Sequence, residues 1–477
     1  MRKLLLPVFA ILLSLTLANG QKMTMQECVK IGLDNNLSVK RGVYNVESNR
    51  VGLLSAKGNF LPTLNFNLSG SQNYGRNLNP VTYQYFQGVT QTVNPSLTGN
   101  LLLFNGLRLQ HTYRQNKMNV QAADLDLEKA KNDVIIMVVQ NYTNVILNKE
   151  LFENAKFQLN SSQQQLERII KQVEAGALSK SNELTQEATV ATNETNLITQ
   201  ENQYNLSLLT LKQSMQVPAS TQLEVVVPDI AMEDLAITQT PEEIYAISTQ
   251  TLPQVKSAML KVEAAQFAVR AARAAYYPRI SFTYASTSNY NSASDKARYA
   301  VDPSGAQVPQ TIGYVNSDPT LPVITQVSQV MQISDAYHVK DQLSDNLYKN
   351  VGLSLSIPIA NGLQTRTNVQ QSIINRELAA ITVKETENTL RQSIETAYNN
   401  VVAAAKTYTA AIKQVSANEE AFRMVQQRQE NGAATYIEYQ VASNDLFSAK
   451  SSLARAKYNF IFAKKILEFY QGKTIEY

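Results

Sequence analysis

Four stretches of the chain alternate apolar and polar residues in the way that a β-strand requires. The first follows Pro62 and the third follows Pro278, and in both of them every second residue is apolar. Residues 97–104 and 351–359 show the same alternation. A period of two gives a strand one apolar and one polar face. Each stretch is on the order of 10 residues long, which is the length that a tilted strand needs to cross a bilayer.

The longest segments between these strands carry the period of α-helices. From Ile394 to Val415, apolar residues recur at alternating spacings of four and three. Val138, Tyr142 and Val145 begin the same pattern in the first half of the chain. This spacing is typical of a coiled-coil seam, in which one helix lies along another. We therefore predict a mostly helical protein with a smaller β part.

Two of the predicted helices are unusually long, and each ends at a glycine. Gly176 lies as far beyond Gly106 as Gly432 lies beyond Gly362. At a rise of 1.5 Å per residue, a helix that fills either interval is about 100 Å long. Because glycine accepts the left-handed conformation that ends a helix, Gly176 and Gly432 are the predicted turning points of two helical hairpins. The remaining helices are predicted at 182–215, 438–470, 25–58 and 242–275.

These elements occur twice because the chain contains one internal repeat. Leu37–Tyr74 aligns without a gap with Pro253–Tyr290, and the two halves align again from Asn105 and Asn361 onward. The whole difference in length lies in one loop, which is long in the second copy of the repeat. We predict two helix-strand-strand-helix repeats joined by a connector. The repeats are 21–216 and 241–477, the connector is 217–240, and the long loop, expected to be extracellular, is 291–350.

The N-terminus is typical of a secretory signal peptide, predicted to be residues 1–20. Arg2 and Lys3 precede the apolar run Leu4–Leu17, and small residues around Gly20 suit signal peptidase. A spanning helix needs about 20 apolar residues, so this run is too short for one. We expect an exported protein without a transmembrane helix.

Four strands cannot close a membrane barrel by themselves, because the smallest barrels have about eight. Open strand edges are not tolerated in lipid, where unpaired backbone groups cost several kcal/mol each. Several copies are therefore expected to share one barrel, with the polar strand faces turned to a water-filled pore. The predicted pore-facing residues are Asn65, Asn67, Ser69, Ser281, Thr283, Ser354 and Ser356.

Composition excludes several other classes of protein. The 43 basic and 39 acidic residues nearly balance, whereas a nucleic-acid-binding surface needs concentrated positive charge. Cys28 is the only cysteine, and His111 and His338 are the only histidines. Without a cluster of such residues or a glycine-rich phosphate loop, neither an enzyme nor a metal or cofactor site is expected.

Short motifs at equivalent places in both repeats resemble those of the TolC family of outer-membrane factors. They are Leu61-Pro62 and Tyr277-Pro278, Phe104-Asn105-Gly106 and Pro358-Ile359-Ala360-Asn361-Gly362, and the closing Ala456-Lys457-Tyr458-Asn459. The resemblance implies a homotrimer with a twelve-stranded barrel in the outer membrane and an α-helical tunnel through the periplasm. It also implies docking to an inner-membrane pump and its periplasmic adaptor, and hence a passive exit duct for efflux or type I secretion.

The same resemblance implies roles for residues at the tunnel tip. Family members carry carboxylates just inside the last helix, and Glu438 occupies that position, which implies a ring that constricts the entrance and attracts cations. A second acidic position is filled by Val441, and a tyrosine and an arginine of some relatives are replaced by Gln429 and Ala434. The hairpin tips are the expected adaptor contacts, through Gly176, Ala177, Gly432 and Ala433.

One alternative stays open at this point. A periplasmic coiled-coil scaffold or adaptor would use the same helices without entering a membrane. The exported cargo and the pump that is served are not encoded in any feature of this chain.

Overall fold

The computed structural model of the chain describes residues 21–78, 85–227, 238–294 and 297–473. The predicted signal peptide, residues 1–20, lies outside these ranges, as do residues 228–237 of the predicted connector.

Helices make up most of the described chain, and the β-strands fall into a few groups between them. The first half contains β1 (Gln21–Met23), α1 (Met25–Asn35), α2 (Leu37–Gly58), β2 (Thr63–Leu78), β3 (Tyr85–Phe104), α3 (Arg108–Glu174), α4 (Lys180–Ser214) and β4 (Leu223–Val225). The second half contains α5 (Pro241–Thr251), α6 (Pro253–Arg273), β5 (Arg279–Thr287), β6 (Tyr290–Asn291), β7 (Arg298–Val301), β8 (Gln307–Tyr314), β9 (Pro322–Ser328), β10 (Val330–Ser334), α7 (Val339–Asp345), β11 (Tyr348–Ser356), α8 (Gln364–Glu430) and α9 (Tyr436–Tyr470).

Three pairs of equivalent helices in the two repeats have the same length. Both α3 and α8 have 67 residues, both α4 and α9 have 35, and both α1 and α5 have 11. The N-cap threonines of α1 and α5, Thr24 and Thr240, each form a capping box with the glutamate three residues later. The predicted fold class, long helices with four long strands in two repeats, is confirmed.

The helices that lead into the sheet are each broken once, where the sequence predicted one continuous helix over 25–58 and over 242–275. Asn36 separates α1 from α2 with ψ 128°, and Leu252 separates α5 from α6 with ψ 141°. Leu252 precedes Pro253, whose ring disfavours a helical conformation in the residue before it. The Asn36 side chain accepts a hydrogen bond from the backbone N–H of Ser38 at 2.8 Å, which starts a new helix there.

Most of the helical residues belong to one compact unit. It comprises the described chain up to Leu53, Arg114–Phe267 and the chain from Ser372 onward. Its core includes the predicted seam residue Tyr142, whose hydroxyl lies 2.6 Å from the carbonyl oxygen of Val226 and 3.1 Å from that of Met23. This hydroxyl therefore holds together the ends of the parallel pair β1 and β4.

The seam predicted on α8 is buried at most of its positions. Ile394 and Val401 are fully buried in a second core cluster formed by residues of α5, α6, α8 and α9. Ile412 was predicted to be part of the same seam, but it is exposed.

The second compact unit, Leu54–Tyr113 with Ala268–Gln371, contains the main sheet. Its four long strands are antiparallel and lie in the order β11-β5-β3-β2, and β6 extends the pairing of β3. The strand pairs β2–β3 and β5–β11 have the same register. Asn65 lies opposite Thr98 in the first pair, and their repeat equivalents Ser281 and Ser354 lie opposite each other in the second.

Two strand boundaries differ from the prediction. β3 begins at Tyr85, twelve residues before 97 (97 − 85), because it pairs with the full length of β2 up to Leu78. β11 ends at Ser356 and not at 359. At the corresponding end of β3, residues from Leu101 onward pair with β5 alone. Among the described residues, β11 has no second neighbouring strand to hold its last residues in this way.

The predicted long loop 291–350 contains regular structure. β7 pairs with β10 and β8 pairs with β9, both antiparallel. Arg298 on β7 donates hydrogen bonds of 2.8 and 2.7 Å to the carboxylate of Asp345 at the end of α7. Local strand pairing and this two-pronged ion pair order this segment.

Candidate functional site

The predicted pore-facing residues lie on one face of the main sheet. In an antiparallel sheet, residues opposite each other point to the same side, and so do residues two apart along a strand. Asn65 lies opposite Thr98, which in turn lies opposite Ala285, and Ser281 lies opposite Ser354. All seven predicted residues share this face: Asn65, Asn67, Ser69, Ser281, Thr283, Ser354 and Ser356. That the face lines water stays a prediction.

The opposite face of the same four strands is apolar. Its outer side chains are exposed on both edge strands, with Phe66 on β2 and Leu353 on β11 among the most exposed. Such a surface is expected where a sheet faces lipid. The residues of this face are Leu64, Phe66 and Leu68; Leu97 and Leu101; Ile280, Phe282 and Tyr284; and Val351, Leu353 and Leu355.

On β3, sequence reasoning missed the residues of the polar face. Ser96, Thr98 and Asn100 alternate with the leucines of that strand and lie opposite Asn67, Asn65 and Thr63. The alternation of 97–104 would have identified Thr98 and Asn100. Leu102 is an apolar exception on this face, next to an irregularity in the pairing of β3 with β5.

The two helical hairpins turn at the predicted glycines. Gly176 has φ +75° and Gly432 has φ +72°. The N–H of Ala177 bonds the carbonyl of Gln172 at 2.8 Å, and the N–H of Ala433 bonds that of Arg428 at 2.7 Å. These bonds complete a Schellman motif at each helix end. All four predicted tip residues, Gly176, Ala177, Gly432 and Ala433, are exposed.

Glu438 has a structural role beside its predicted one. Its Oε2 accepts hydrogen bonds from the backbone N–H of Thr435 at 2.7 Å and from the Thr435 hydroxyl at 3.1 Å, forming the capping box of α9. Arg428 lies 3.8 Å from its Oε1. These hydrogen bonds, and more weakly the arginine, lower the pKa of Glu438, so the carboxylate is charged at neutral pH. The first hairpin has Asn182 at the equivalent position.

The motif Thr435-x-x-Glu438 is a capping-box pattern that could have been found in the sequence. The proximity of Arg428 to Glu438 could not be predicted from a sequence motif, because the turn between α8 and α9 brings the two side chains together. The position of Glu438 relative to other copies of the chain stays a prediction.

A buried polar contact joins the two hairpins near their tips. The hydroxyl of Tyr436 on α9 donates a hydrogen bond to the Oε1 of Gln186 on α4. Gln186 is fully buried, and its Nε2 donates to the carbonyl oxygen of Ser162 on α3 at 2.7 Å. Burial raises the pKa of Tyr436, which keeps the hydroxyl protonated as a donor. This contact links residues far apart in the sequence, so the sequence offered no way to predict it.

Two kinds of feature are absent from the described part of the chain. Its helices include none with the length and hydropathy needed to span a membrane. Within the same ranges, no group of three His, Cys, Asp or Glu side chains is arranged to hold a metal ion.

The chain is similar to known outer-membrane efflux proteins. The sequence profile of the outer membrane efflux protein family matches residues 30–215 and 247–472. Outer membrane efflux protein BepC of Brucella suis is 21% identical over 464 residues, which cover 96% of this chain and 88% of BepC. Outer membrane protein TolC of Escherichia coli is 26% identical over 111 residues, 23% of this chain and 22% of TolC.

Solved structures show the same fold. The Campylobacter jejuni CmeC outer membrane channel superposes with a TM-score of 0.73 at 16% identity, over 94% of this chain and 85% of CmeC. At such low sequence identity, the structural similarity identifies the fold alone. The evidence for a family relationship is the match to the sequence profile.

Proposed function

The chain belongs to the outer membrane efflux protein family, and from this premise we propose that several copies assemble into the exit duct of a multi-component export system. The outer-membrane location and the efflux role expected from the sequence are confirmed by the family match. Export through such a duct is passive, because energy is supplied elsewhere in the system. The periplasmic scaffold without a pore is therefore set aside.

The observation that carries this proposal is the two-faced sheet with open edges. One face is polar and the other apolar, and β2 and β11 each have one neighbouring strand within the described ranges. A single sheet of four long strands cannot enclose a lumen, and its edges would be unsatisfied in lipid. We propose that three copies contribute four strands each to one barrel of twelve.

The partners follow from the family and are part of the proposal. A periplasmic adaptor and an inner-membrane pump would complete the export path, with the adaptor contacting the exposed hairpin tips at Gly176, Ala177, Gly432 and Ala433. Related channels serve small molecules or proteins, so the substrate class is set by the pump. Family members are channels, and we propose no catalytic activity, cofactor or nucleic-acid partner for this chain.

At the entrance, we propose that Glu438 from each copy contributes to a ring of negative charge. Its side chain is about half exposed even while it caps α9, and its lowered pKa keeps it ionised at neutral pH. A ring of fixed carboxylates attracts cations and disfavours anions.

Cysteine substitution on the two faces of β2 tests the channel proposal. Asn67→Cys and Phe66→Cys are neighbours on one strand but lie on opposite faces. Both go into a Cys28→Ala background, and each purified protein is reconstituted in planar bilayers. A charged, water-soluble thiol reagent should reduce the conductance of Asn67→Cys and leave that of Phe66→Cys unchanged. Absence of any conductance, or equal block of both variants, would refute the pore assignment.

A further inference from the structure

The main sheet contains few charged residues, and none of them is acidic. Its four long strands, β2, β3, β5 and β11, carry Arg76, Arg279 and Lys349 but no aspartate or glutamate. In the sequence of the second compact unit, every acidic residue lies between β5 and β11, from Asp295 to Asp345. Three basic side chains therefore set the charge of the sheet.

Arg279 is the basic residue that lies on the polar face. It is the first residue of β5 and lies opposite Ser356, the last residue of β11. Because the pairing of these two strands is regular from end to end, Arg279 shares the face of Thr283. Lys349 lies opposite Ser286, which places it on the apolar face.

The other two basic side chains have surroundings that account for them. The guanidinium of Arg76 lies 4.1 Å from the centroid of the Tyr85 ring, a cation–π contact, and the register of β2 places Arg76 on the apolar side. Lys349 is exposed on that side, where a long basic side chain reaches the headgroups of a membrane. Neither residue adds charge to the polar face.

Arg279 has no comparable partner. Its side chain is exposed, and no carboxylate of the described ranges lies within ion-pair distance of it. The nearest acidic residues along the chain are Glu263 and Asp295, each sixteen positions away (279 − 263 and 295 − 279). An exposed arginine of a membrane protein is often an anchor at the lipid interface, but Arg279 lies on the face turned away from the apolar surface.

The two ends of β5 are far apart on the scale of charge screening. β5 has nine residues, so its ends are separated by about 26 Å at roughly 3.3 Å per residue. The Debye length at physiological ionic strength is about 8 Å. The described acidic residues of this unit follow the far end of β5 in the chain. Charges beyond that end do little to screen Arg279.

The internal repeat gives one such arginine to each chain. Thr63 is the equivalent of Arg279 in the first repeat, begins β2 and is exposed. Its hydroxyl lies 3.4 Å from the carbonyl oxygen of Asn100. The two equivalent positions differ by one positive charge, so a lumen formed by several copies has one guanidinium per copy at this level of the sheet.

The residues beside Arg279 on the polar face are short. Ser281 and Ser354 lie opposite each other one step along the strands, and Gly352 lies opposite Thr283 one step further. An extended arginine side chain is longer than any of these residues. Its planar guanidinium presents five N–H donors in a fork that matches a carboxylate or a phosphate.

We propose that Arg279 is an anion-selecting residue of the duct. It lies at the end of the barrel opposite the segment 291–350 and favours solutes that carry a carboxylate or phosphate group over cationic solutes. This inference rests on the proposed channel and adds a residue that sets the charge preference of its barrel. It is separate from the proposed role of Glu438, which belongs to a helical hairpin and attracts cations.

Ion selectivity in planar bilayers tests this proposal. Reversal potentials are measured for the parent, Arg279→Gln, Arg279→Lys and Lys349→Gln proteins across a gradient of potassium chloride near 10 mM, where the Debye length is about 30 Å. At about 10 Å in water, one unit charge changes the local concentration of a monovalent ion roughly twofold. Since Glu438 acts in the opposite direction, the readout is the difference between each variant and the parent.

We expect Arg279→Gln to lower the chloride-to-potassium permeability ratio at least about twofold. Arg279→Lys should keep the ratio of the parent, because it keeps the charge. Lys349→Gln removes a charge from the apolar face and should leave the ratio unchanged. An effect of Arg279→Gln no larger than that of Lys349→Gln would overturn the proposal.

The same measurement at 1 M salt separates the effect of charge from a change in pore shape. The Debye length is then about 3 Å, so the difference between the parent and Arg279→Gln should disappear. A difference that persists at 1 M would show that the substitution reshapes the pore, and would contradict the proposal.

Thr63→Arg is the matched gain of charge. It adds a second arginine per copy at the equivalent position of the first repeat, so the chloride-to-potassium ratio should rise above that of the parent. Damage to the fold does not produce such a rise. An unchanged or lower ratio would contradict the selection of anions at this end of the polar face.

Potassium benzoate in place of the chloride extends the test to an organic carboxylate, and the variants should fall in the same order. Equal benzoate permeability in all of them would contradict the preference for carboxylate-bearing solutes. Failure of the proposed function has a different signature. A parent protein without any conductance would overturn the channel itself, whereas an open pore whose selectivity does not depend on Arg279 would overturn this inference alone.

Discussion

Removal of the Tyr436 hydroxyl should weaken the contact between the two helical hairpins. Tyr436→Phe keeps the ring but leaves the Oε1 of the fully buried Gln186 without the donor that it has in the folded chain. A buried acceptor that loses its partner costs about 1–3 kcal/mol. If the entrance opens by separation of the hairpins, this loss shifts the closed-to-open equilibrium by roughly 5- to 150-fold.

Tyr439→Phe is the matched control. Tyr439 lies one helical turn further along α9, is buried, and contacts Phe422 at 5.3 Å between ring centroids, and its hydroxyl makes no hydrogen bond within the described ranges. The midpoint of urea unfolding is measured for both variants at one protein concentration, because the stability of an oligomer depends on concentration. Single-channel conductance is recorded in planar bilayers.

We expect Tyr436→Phe to unfold at lower urea and to show a larger or more frequent open conductance, while Tyr439→Phe stays close to the parent protein. If both variants behave alike in both assays, the Tyr436–Gln186 contact does not hold the hairpins together and the reasoning is wrong.

Three further predictions concern the helical unit. Tyr142→Phe removes a buried hydroxyl that serves two carbonyl oxygens and should cost about 1–3 kcal/mol in urea unfolding. Its repeat equivalent Tyr398→Phe should cost less, and equal costs would contradict the role of this hydroxyl. Glu438→Gln keeps a side chain that can accept from Thr435 but removes the charge, so cation selectivity in bilayers should fall while thermal stability is kept. Unchanged selectivity would refute the carboxylate ring. Burial raises the pKa of Cys28 from 9.0 to about 12, so a maleimide at pH 8 should label it only after unfolding. Because the folded pKa exceeds the unfolded one, the stability from the neutral thiol is complete below pH 9 and is lost as the pH rises toward 12. Rapid labelling of the folded protein would contradict this burial.

The sequence was sufficient for features that repeat at short range. The alternation after Pro62 and Pro278 identified both faces of the sheet, because side chains on a strand alternate with a period of two. Gly176 and Gly432 identified the helix ends, since a left-handed residue is required there. In each case the information lies within a few neighbouring residues.

Features that depend on contacts between distant segments could not be predicted. Tyr436 and Gln186 are 250 residues apart and meet only when the hairpins pack together. The early end of β11 depends on a missing neighbour and not on its own residues, which continue to alternate through Ile359. The strands within 291–350 pair locally but carry a mixed pattern, so the sequence predicted only a long loop there.

The number of chains around one lumen tests the proposed channel assembly most directly. Electron cryomicroscopy of the protein purified from outer membranes should show three copies around a continuous channel, with β11 of each copy paired to β2 of the next. A monomer whose four long strands are buried within its own fold would contradict it.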